Sequence, residues 1–321
     1  MNAIRKILIT GGCGFIGSNL IAGLMSRSDA PDIRVLDNES LGKKAHIAEF
    51  DVDFIRGDVR DLNVVTGALR GVDAVIHLAA DTRVVESIAN PVHNFEVNVV
   101  GTFNLLSAMR ETNVTRIINA STGGAIIGDA IPPVNEGMVP APLSPYGASK
   151  LAAEGYCSTF SHAYGFQATS VRFSNVYGPR SYHKGSVVSA FLKNILRTES
   201  LVVYGDGEQT RDYVFVEDLC TGITKALESG KSGVFQLGTG LPTSINALID
   251  NMLQITGSNY PVHVNYEPYR DGEIKQTWCD ITKARRELGY NPQTTVLAGL
   301  QKTWEWFLSL NGEQTSRENN A

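Results

Sequence analysis

The sequence contains few features of secreted or metal-bound proteins. Its 321 residues include four cysteines, at widely separated positions, and six histidines. No Cys-x-x-Cys pair occurs, and neither residue type shows the spacing of a disulfide framework or of a structural metal site. We therefore expect free thiols in a reducing cytoplasm and no bound metal.

Long apolar runs are also missing from the sequence. None approaches the roughly 20 residues that a helix needs to cross a bilayer. Segment 1–9 carries Arg5 and Lys6 beside a short apolar run, which predicts a first strand rather than a signal peptide. The formal net charge of −5 argues against general attraction to nucleic acid or to a membrane. An anionic substrate would have to be held by local arginines.

The composition is that of a globular protein, and strands alternate with helices. Apolar residues make up 43% of the chain, which excludes a disordered protein. Short strands are predicted at 6–10, 33–37, 54–59, 74–80, 116–120, 167–173 and 233–238. This order predicts an α/β fold with a parallel, doubly wound Rossmann-type sheet, whose ligands bind at the carboxyl ends of the strands.

The same pattern gives a domain organisation. We expect a dinucleotide-binding domain over 1–175, with returning segments near 211–240. A smaller substrate-binding portion is predicted over 176–210 and 241–311, followed by a frayed polar tail at 312–321. Because no clear linker separates these parts, the substrate portion should be joined into the sheet.

A glycine-rich turn follows the first strand directly. Gly11, Gly14 and Gly17 precede or open an apolar helix that begins near Phe15. In this context glycines let the backbone approach a pyrophosphate at the amino terminus of the helix. Asp37 ends the second strand, 20 residues past Gly17. A carboxylate there accepts hydrogen bonds from the ribose of NAD and repels a 2′-phosphate, which predicts NAD rather than NADP.

Two further titratable residues fall within or just after predicted strands. Asp58 fits a hydrogen bond from the adenine amino group, and it fits a solvated aspartate at a strand end equally well. His77 lies in an almost wholly apolar strand. We interpret it as a buried histidine with hydrogen-bond partners, not as a ligand.

Segment 144–150 contains the candidate catalytic groups. Ser144 and Pro145 are typical of a helix N-cap and of the first helical position. Tyr146 and Lys150 are four residues apart, so in a helix they lie on one face. An ammonium beside a phenol stabilises the phenolate and lowers the tyrosine pKa from about 10. The pair alone is also typical of an ordinary surface, but together with the upstream glycine turn it predicts a base.

Taken together, these motifs resemble the extended short-chain dehydrogenase/reductase family, and within it the UDP-glucose 4-epimerase-like nucleotide-sugar epimerases. The segments that carry the resemblance are TGGCGFIGSN (10–19), VLDN (35–38), GDVRD (57–61), HLAA (77–80), YGASK (146–150), RFSNVYGPR (172–180), RDYVFVEDL (211–219), LGTG (237–240) and RDGE (270–273). They span nearly the whole chain, and their order and spacing are specific.

The resemblance implies reversible oxidation at C4 of a sugar on a nucleoside diphosphate. Tyr146 would take the O4 proton while C4 gives hydride to NAD. The 4-keto sugar would then turn over and take the hydride back on its other face. Lys150 would hold the nicotinamide ribose and lower the Tyr146 pKa. A homodimer through helices near 92–112 and 144–164 is also implied.

The resemblance also implies two sets of binding residues. The cofactor set is Gly11, Gly14, Phe15, Ile16, Gly17, Asp37, Asn38, Asp58, Val59, Leu78, Ala79, Ala80, Asn98, Tyr146 and Lys150. The substrate set is Thr82, Thr122, Asn175, Arg180, Arg211 and Arg270. A guanidinium can bind phosphate oxygens through two hydrogen bonds, although Arg180 is also compatible with a surface ion pair.

The chain departs from the family pattern after the fifth strand. Most members carry Ser or Thr four positions before a Tyr, whereas this chain has Gly123 and Ile127. The hydroxyl that helps hold O4 must then come from Thr122, or failing that from Ser121. The Asp-Glu pair of sugar 4,6-dehydratases is replaced by Gly124-Ala125.

Two other functions compete with epimerisation. A 4-keto-sugar reductase would turn over free reduced cofactor, usually NADPH, and Asp37 argues against it. A non-catalytic NAD-binding sensor of the same fold would have no need for Tyr146 and Lys150 together. The sequence leaves open the sugar, and whether the base is uridine, thymidine or guanosine.

Overall fold

The computed structural model describes residues 4–269 and 274–318, with side chains as far as Leu310. The strands are β1 (Lys6–Thr10), β2 (Asp32–Asp37), β3 (Asp53–Arg56), β4 (Ala74–His77), β5 (Arg116–Thr122), β6 (Gln167–Phe173), β7 (Asn175–Tyr177), β8 (Leu201–Tyr204), β9 (Thr210–Arg211), β10 (Tyr213–Phe215), β11 (Gly233–Leu237), β12 (Thr243–Ser244), β13 (Val264–Glu267) and β14 (Gln276–Thr277).

The helices cover both faces of the strands and form most of the smaller portion. They are α1 (Phe15–Met25), α2 (Leu62–Ala68), α3 (Val84–Ala89), α4 (Pro91–Phe95), α5 (Gly101–Glu111), α6 (Gly124–Ile127), α7 (Pro145–Tyr164), α8 (Val187–Leu196), α9 (Val216–Ser229), α10 (Ile245–Thr256), α11 (Thr282–Leu288) and α12 (Val296–Glu318). A 3-10 turn spans Lys44–Ile47, and a π-helical turn at Glu96–Val100 joins α4 to α5.

Seven strands form one sheet in the order β11-β6-β5-β4-β1-β2-β3, and every neighbouring pair is parallel. All four residues of β4 are buried, as expected of strands that helices cover on both faces. The doubly wound sheet predicted from the sequence is confirmed. Strand order reverses between β1 and β4, which opens a crevice at their carboxyl ends.

Several element boundaries differ from the prediction. β3 and β4 end earlier than expected, at Arg56 and His77 rather than near 59 and 80. β5 continues through Thr122, because Ser121 and Thr122 pair with Arg172 and Phe173 of β6. The helix predicted over 90–112 is divided by the π-helical turn at Glu96–Val100. The last helix continues to Glu318, past residue 312, where the polar tail was expected to begin.

The smaller portion has its own apolar core. Tyr177, Phe191, Leu248 and Trp304 belong to one buried cluster, to which α8, α10 and α12 contribute. Short pairings, β8 with β13 and β9 with β12 and β14, build its small sheets. β11 lies instead at the edge of the main sheet beside β6, so the chain returns to the large sheet between these segments.

Neither a membrane-spanning helix nor a metal site is found among residues 4–269 and 274–318. No helix there combines the length and apolar character needed to cross a membrane. No group of three His, Cys, Asp or Glu side chains in the same residues could hold a metal ion.

The packing of α1 on the glycine turn gives a stability prediction. A Cβ on Gly17 would lie 2.6 Å from the carbonyl oxygen of Gly11 and 2.6 Å from Cα of Gly12, both backbone atoms. We expect Gly17→Ala to lower the free energy of unfolding by about 1–3 kcal/mol, the usual cost of overpacking. Urea denaturation measures this change.

Gly23 lies in the same helix and supplies the control. A Cβ there has no described heavy atom within 4 Å. Gly23→Ala should therefore stabilise the protein by about 0.5–1 kcal/mol, the helix preference of alanine over glycine. Shifts of the same sign in both variants would contradict the close packing of α1 on the turn.

Candidate active site

A cleft of about 1180 Å³ lies at the carboxyl ends of the strands and extends to the smaller portion. It brings together most of the residues predicted from the sequence. Those that line it are Gly11, Gly14, Phe15, Ile16, Gly17, Asp37, Asn38, Asp58, Val59, Leu78, Ala79, Ala80, Thr82, Ser121, Thr122, Tyr146, Lys150, Asn175 and Arg211.

Asp37 is held rigidly at one end of this cleft. Its carboxylate accepts hydrogen bonds from the backbone N–H of Cys13 at 3.0 Å and of Glu39 at 2.7 Å. The side chain is largely buried, and burial raises its pKa above the usual aspartate value. Each oxygen keeps a further lone pair for a donor in the cleft. Together with the close backbone approach at Gly17, this arrangement fits the ribose and pyrophosphate of a dinucleotide.

Asp58 is already engaged by its own neighbourhood. Arg60 donates to it through Nε and Nη2, both at 2.9 Å, and Asn38 donates through Nδ2 at 2.8 Å. The hydrogen bonds from Arg60 hold the Asp58 pKa well below its usual range. Of the two interpretations of Asp58, the contacts match an aspartate that organises its loop, and contact with adenine stays a prediction.

Tyr146 and Lys150 lie one turn apart in α7 and both line the cleft. The Ser144 hydroxyl accepts from Gly147 N at 3.1 Å, and Pro145 is the first helical residue, as predicted. Lys150 is buried and donates from Nζ to the Ala120 carbonyl at 3.0 Å. Burial lowers its pKa to about 8.

The Tyr146 pKa moves in the direction opposite to the expectation. Burial, with the nearby negative charge of Asp81, raises it to about 12, and a hydrogen bond with the Thr122 side chain acts against this rise. The expected lowering by Lys150 is not seen, because that ammonium is directed to the Ala120 carbonyl.

The two candidate hydroxyls have different partners. Ser121 donates from Oγ to Glu154 Oε1 at 2.6 Å. Glu154 also accepts from Arg172 at 2.9 and 2.7 Å, within a buried ion pair. The Ser121 proton is therefore committed to the interior, whereas the Thr122 side chain contacts Tyr146. The geometry favours Thr122 as the hydroxyl that supports a substrate oxygen.

Gly123 is packed closely against the side chain of Gln236. A Cβ there would lie 2.7 Å from Oε1 of Gln236 in β11, and 3.5 Å from its Cδ. Gln236 is fully buried, and neither polar atom of its amide has a hydrogen-bond partner among the described residues. A side chain at position 123 would therefore require the Gln236 amide to shift.

Two of the predicted residues that the structure describes do not line the cleft. Asn98, on the π-helical turn, is buried behind it and donates to the Asp81 carbonyl and to Ser149 Oγ, both at 2.9 Å. Arg180 does not line the cleft and binds Glu49 at 2.7 Å. This matches the surface ion pair, and contact of Arg180 with the substrate stays a prediction. Arg270 lies outside the described residues.

Sequence reasoning missed part of the lining on the substrate side. These residues are Ser174, His183, Lys184, Phe191, Asn194, Tyr204 and Gln209. They come from short strands, loops and one helix of the smaller portion. Such segments have no period or motif that tells which side chains face a cleft, although 173–180 is visibly richer in turn residues.

The similarity to known proteins extends over most of the chain. Residues 7–238 match the family described as NAD dependent epimerase/dehydratase. The UDP-glucose 4-epimerase of Thermotoga maritima, solved with UDP-glucose, is 35% identical with a TM-score of 0.89, over 95% of this chain and 99% of that one. The UDP-glucose 4-epimerase of Thermus thermophilus, solved with NAD, is 34% identical with a TM-score of 0.86, over 94% and 98%.

Similar proteins include dehydratases as well. A dTDP-glucose 4,6-dehydratase of Streptomyces niveus is 31% identical over 315 residues, which cover 94% of this chain and 92% of the relative. The likeness alone therefore does not separate epimerisation from dehydration.

The position of Asp37 predicts the strength and selectivity of dinucleotide binding. Asp37→Ala should weaken NAD binding by about 1.5–3 kcal/mol, the value of a charge-assisted hydrogen bond, and reduce the preference for NAD over NADP. Titration calorimetry with both dinucleotides measures this. Asp53→Ala removes an aspartate of β3 that does not line the cleft. An equal loss in both variants would contradict the role of Asp37.

Proposed function

The chain belongs to the NAD dependent epimerase/dehydratase family, and from this premise we propose that it is a nucleotide-sugar 4-epimerase acting on a UDP-sugar. Its cofactor is NAD, and the family resemblance drawn from the motifs is confirmed. The observation that carries the proposal is the placement of Tyr146, Lys150 and Thr122 in the same cleft as Asp37.

The residues of the chain divide the chemistry between them. NAD, when bound, accepts a hydride from the sugar and returns it. Tyr146 holds the proton that leaves and rejoins the sugar hydroxyl, and Thr122 shares a hydrogen bond with the same oxygen. Lys150 supplies a buried positive charge near the reacting groups, in surroundings where charge interactions are stronger than in water.

The family members that dehydrate need side chains that this chain lacks. Loss of water from C5 and C6 requires an acid and a base, which the resemblance assigns to an Asp-Glu pair. Gly124 and Ala125 stand in those places at the start of α6, and neither can move a proton. This supports epimerisation over dehydration.

The two remaining alternatives are less well supported. A reductase would exchange its dinucleotide at every turnover and commonly uses NADPH, which the buried carboxylate of Asp37 disfavours. A binding protein without chemistry has no use for a tyrosine and a lysine one helical turn apart in the cleft. The Tyr146–Lys150 arrangement therefore argues for an enzyme.

The substrate diphosphate would lie in the part of the cleft that the smaller portion lines. Asn175 at the start of β7 is exposed there, and Arg211 in β9 contributes its guanidinium. Nη1 of Arg211 donates to the carbonyl of Thr210 at 2.9 Å and of Lys275 at 3.3 Å. These bonds orient the side chain, and a planar guanidinium is suited to bind phosphate oxygens through two hydrogen bonds.

We also infer a homodimer. Large apolar side chains are exposed on α4, α5 and α7, namely Val92, Phe95, Phe103, Tyr156 and Tyr164. The rings of Phe103 in α5 and Tyr156 in α7 pack edge to face, with centroids 5.1 Å apart. Helices α5 and α7 therefore share one surface. An apolar surface of this kind fits burial against a second copy, and the mass of the protein in solution tests it.

The function is tested by incubating the purified protein with a panel of nucleotide sugars and no added cofactor. We expect a C4 epimer of at least one UDP-sugar, detected by NMR. Tyr146→Phe keeps the ring and its packing but removes the oxygen, and should lower kcat by roughly 10²–10⁴, the range for general acid–base catalysis. Lys302→Met, on the outer surface of α12, should leave kcat unchanged. Wild-type turnover by Tyr146→Phe would exclude the mechanism.

A second comparison separates the two hydroxyls. Thr122→Ala removes the hydrogen bond that lowers the Tyr146 pKa, so the rise of kcat with pH should move to higher pH. Its kcat should fall less than in Tyr146→Phe, because the proton acceptor remains. Ser121→Ala should leave the pH profile in place, since that hydroxyl binds Glu154. The reverse pattern would transfer the role to Ser121.

A further inference from the structure

The loop between β7 and α8 crosses from the smaller portion to the dinucleotide side. Asn19 in α1 donates from Nδ2 to the Pro179 carbonyl at 3.0 Å. The Lys184 ammonium lies over the Phe15 ring, 5.2 Å from its centroid. Phe15 and Asn19 belong to α1, the helix that follows the glycine turn. The loop between β7 and α8 therefore packs beside the predicted pyrophosphate site.

Arg180 makes the densest set of contacts in this loop. Its Nη2 binds Glu49 Oε1 at 2.7 Å, its Nη1 donates to the His46 carbonyl at 3.1 Å, and its guanidinium covers the Phe50 ring at 5.4 Å. Its φ is +66°, a left-handed conformation that residues with a side chain seldom adopt. The contacts to segment 46–50 hold the backbone in this conformation.

Segment 46–50, which Arg180 contacts, also contacts the glycine turn. His46 Nδ1 lies 3.0 Å from the carbonyl oxygen of Cys13. The His46 ring also stacks on His183, with centroids 5.2 Å apart and planes 19° apart. Contacts therefore run without interruption from the substrate-side loop, through 46–50, to the backbone that would surround the pyrophosphate.

Residues on both sides of these contacts line the cleft. Phe15 and Gly42 line it from the dinucleotide side, and His183 and Lys184 line it from the other side. We propose that residues 179–184 and 46–50 form a clasp that retains the dinucleotide, with Arg180 as the positioning residue that holds it closed. NAD leaves only when this clasp opens. The clasp concerns cofactor exchange, so it stands apart from the sugar chemistry proposed above.

The clasp predicts a change in the rate of NAD release. Protein loaded with radiolabelled NAD is mixed with excess unlabelled NAD, and the label that remains bound is followed with time. Arg180→Met and Glu49→Gln should each release NAD faster, Arg180→Met by about tenfold, as expected for the loss of two or three polar contacts. Glu49→Gln should have a smaller effect, since only one of these contacts involves its carboxylate.

Lys302→Met is the matched control. Lys302 also makes an ion pair, to Glu217 at 2.9 Å, and covers an aromatic ring, Phe215 at 5.1 Å. These contacts join α12 to α9 and β10 and involve none of the clasp residues. This variant should release NAD at the wild-type rate, and all three variants should show similar melting temperatures without NAD.

Exchanging the charges of Arg180 and Glu49 distinguishes a specific clasp from a general loss of stability. Arg180→Glu and Glu49→Arg should each accelerate release, and the double variant should recover part of the wild-type retention. Release of NAD from Arg180→Met at the wild-type rate would overturn the proposal. So would faster NAD release that only follows a fall in melting temperature, in Lys302→Met as much as in the clasp variants. A raised KM for the nucleotide sugar with unchanged NAD release would instead assign Arg180 to the substrate.

Discussion

The buried ion pair between Glu154 of α7 and Arg172 of β6 fixes the helix that carries Tyr146 and Lys150, the proposed reacting groups. Both side chains are almost fully buried, and two hydrogen bonds join them. Breaking such a pair by removing one partner typically costs about 3–5 kcal/mol, because a charge stays buried without its partner. Lys150 lies one turn before Glu154 and Tyr146 two turns before it, so both positions depend on this attachment.

The attachment extends to β5 through Ser121, whose hydroxyl donates to Glu154. This bond fixes the end of the strand just before the residue that contacts Tyr146. Asn98 plays a comparable part on the other side, since it joins the π-helical turn to Ser149 of α7. The polar side chains around the proposed reacting groups thus form hydrogen bonds that hold the neighbouring strand and helices in place. A preorganised site requires such support.

The predictable part of this structure is the part set by local periodicity. The glycine turn, Asp37 at a strand end and the Tyr146–Lys150 pair follow from spacings within a single strand or helix. The choice between Ser121 and Thr122 does not, because it depends on Glu154, 33 residues away, accepting one of the two hydroxyls. Arg180 is a sharper case, since its carboxylate partner is 131 residues away. A guanidinium has the same sequence signature whether it meets phosphate or carboxylate.

The proton affinities of the site follow from burial rather than from the spacing of Tyr146 and Lys150. Burial disfavours whichever form of a group is charged, so it raises the tyrosine pKa and lowers the lysine pKa together. Each unit by which the phenol pKa exceeds the ambient pH adds about 1.4 kcal/mol to forming the phenolate. Of the groups in place, Thr122 offsets part of this cost, and Asp81 adds to it. Lys150 can offset more only if its ammonium turns from the Ala120 carbonyl towards the phenol. The same burial that makes Tyr146 a weak acid thus makes its ionisation sensitive to any positive charge that enters the cleft.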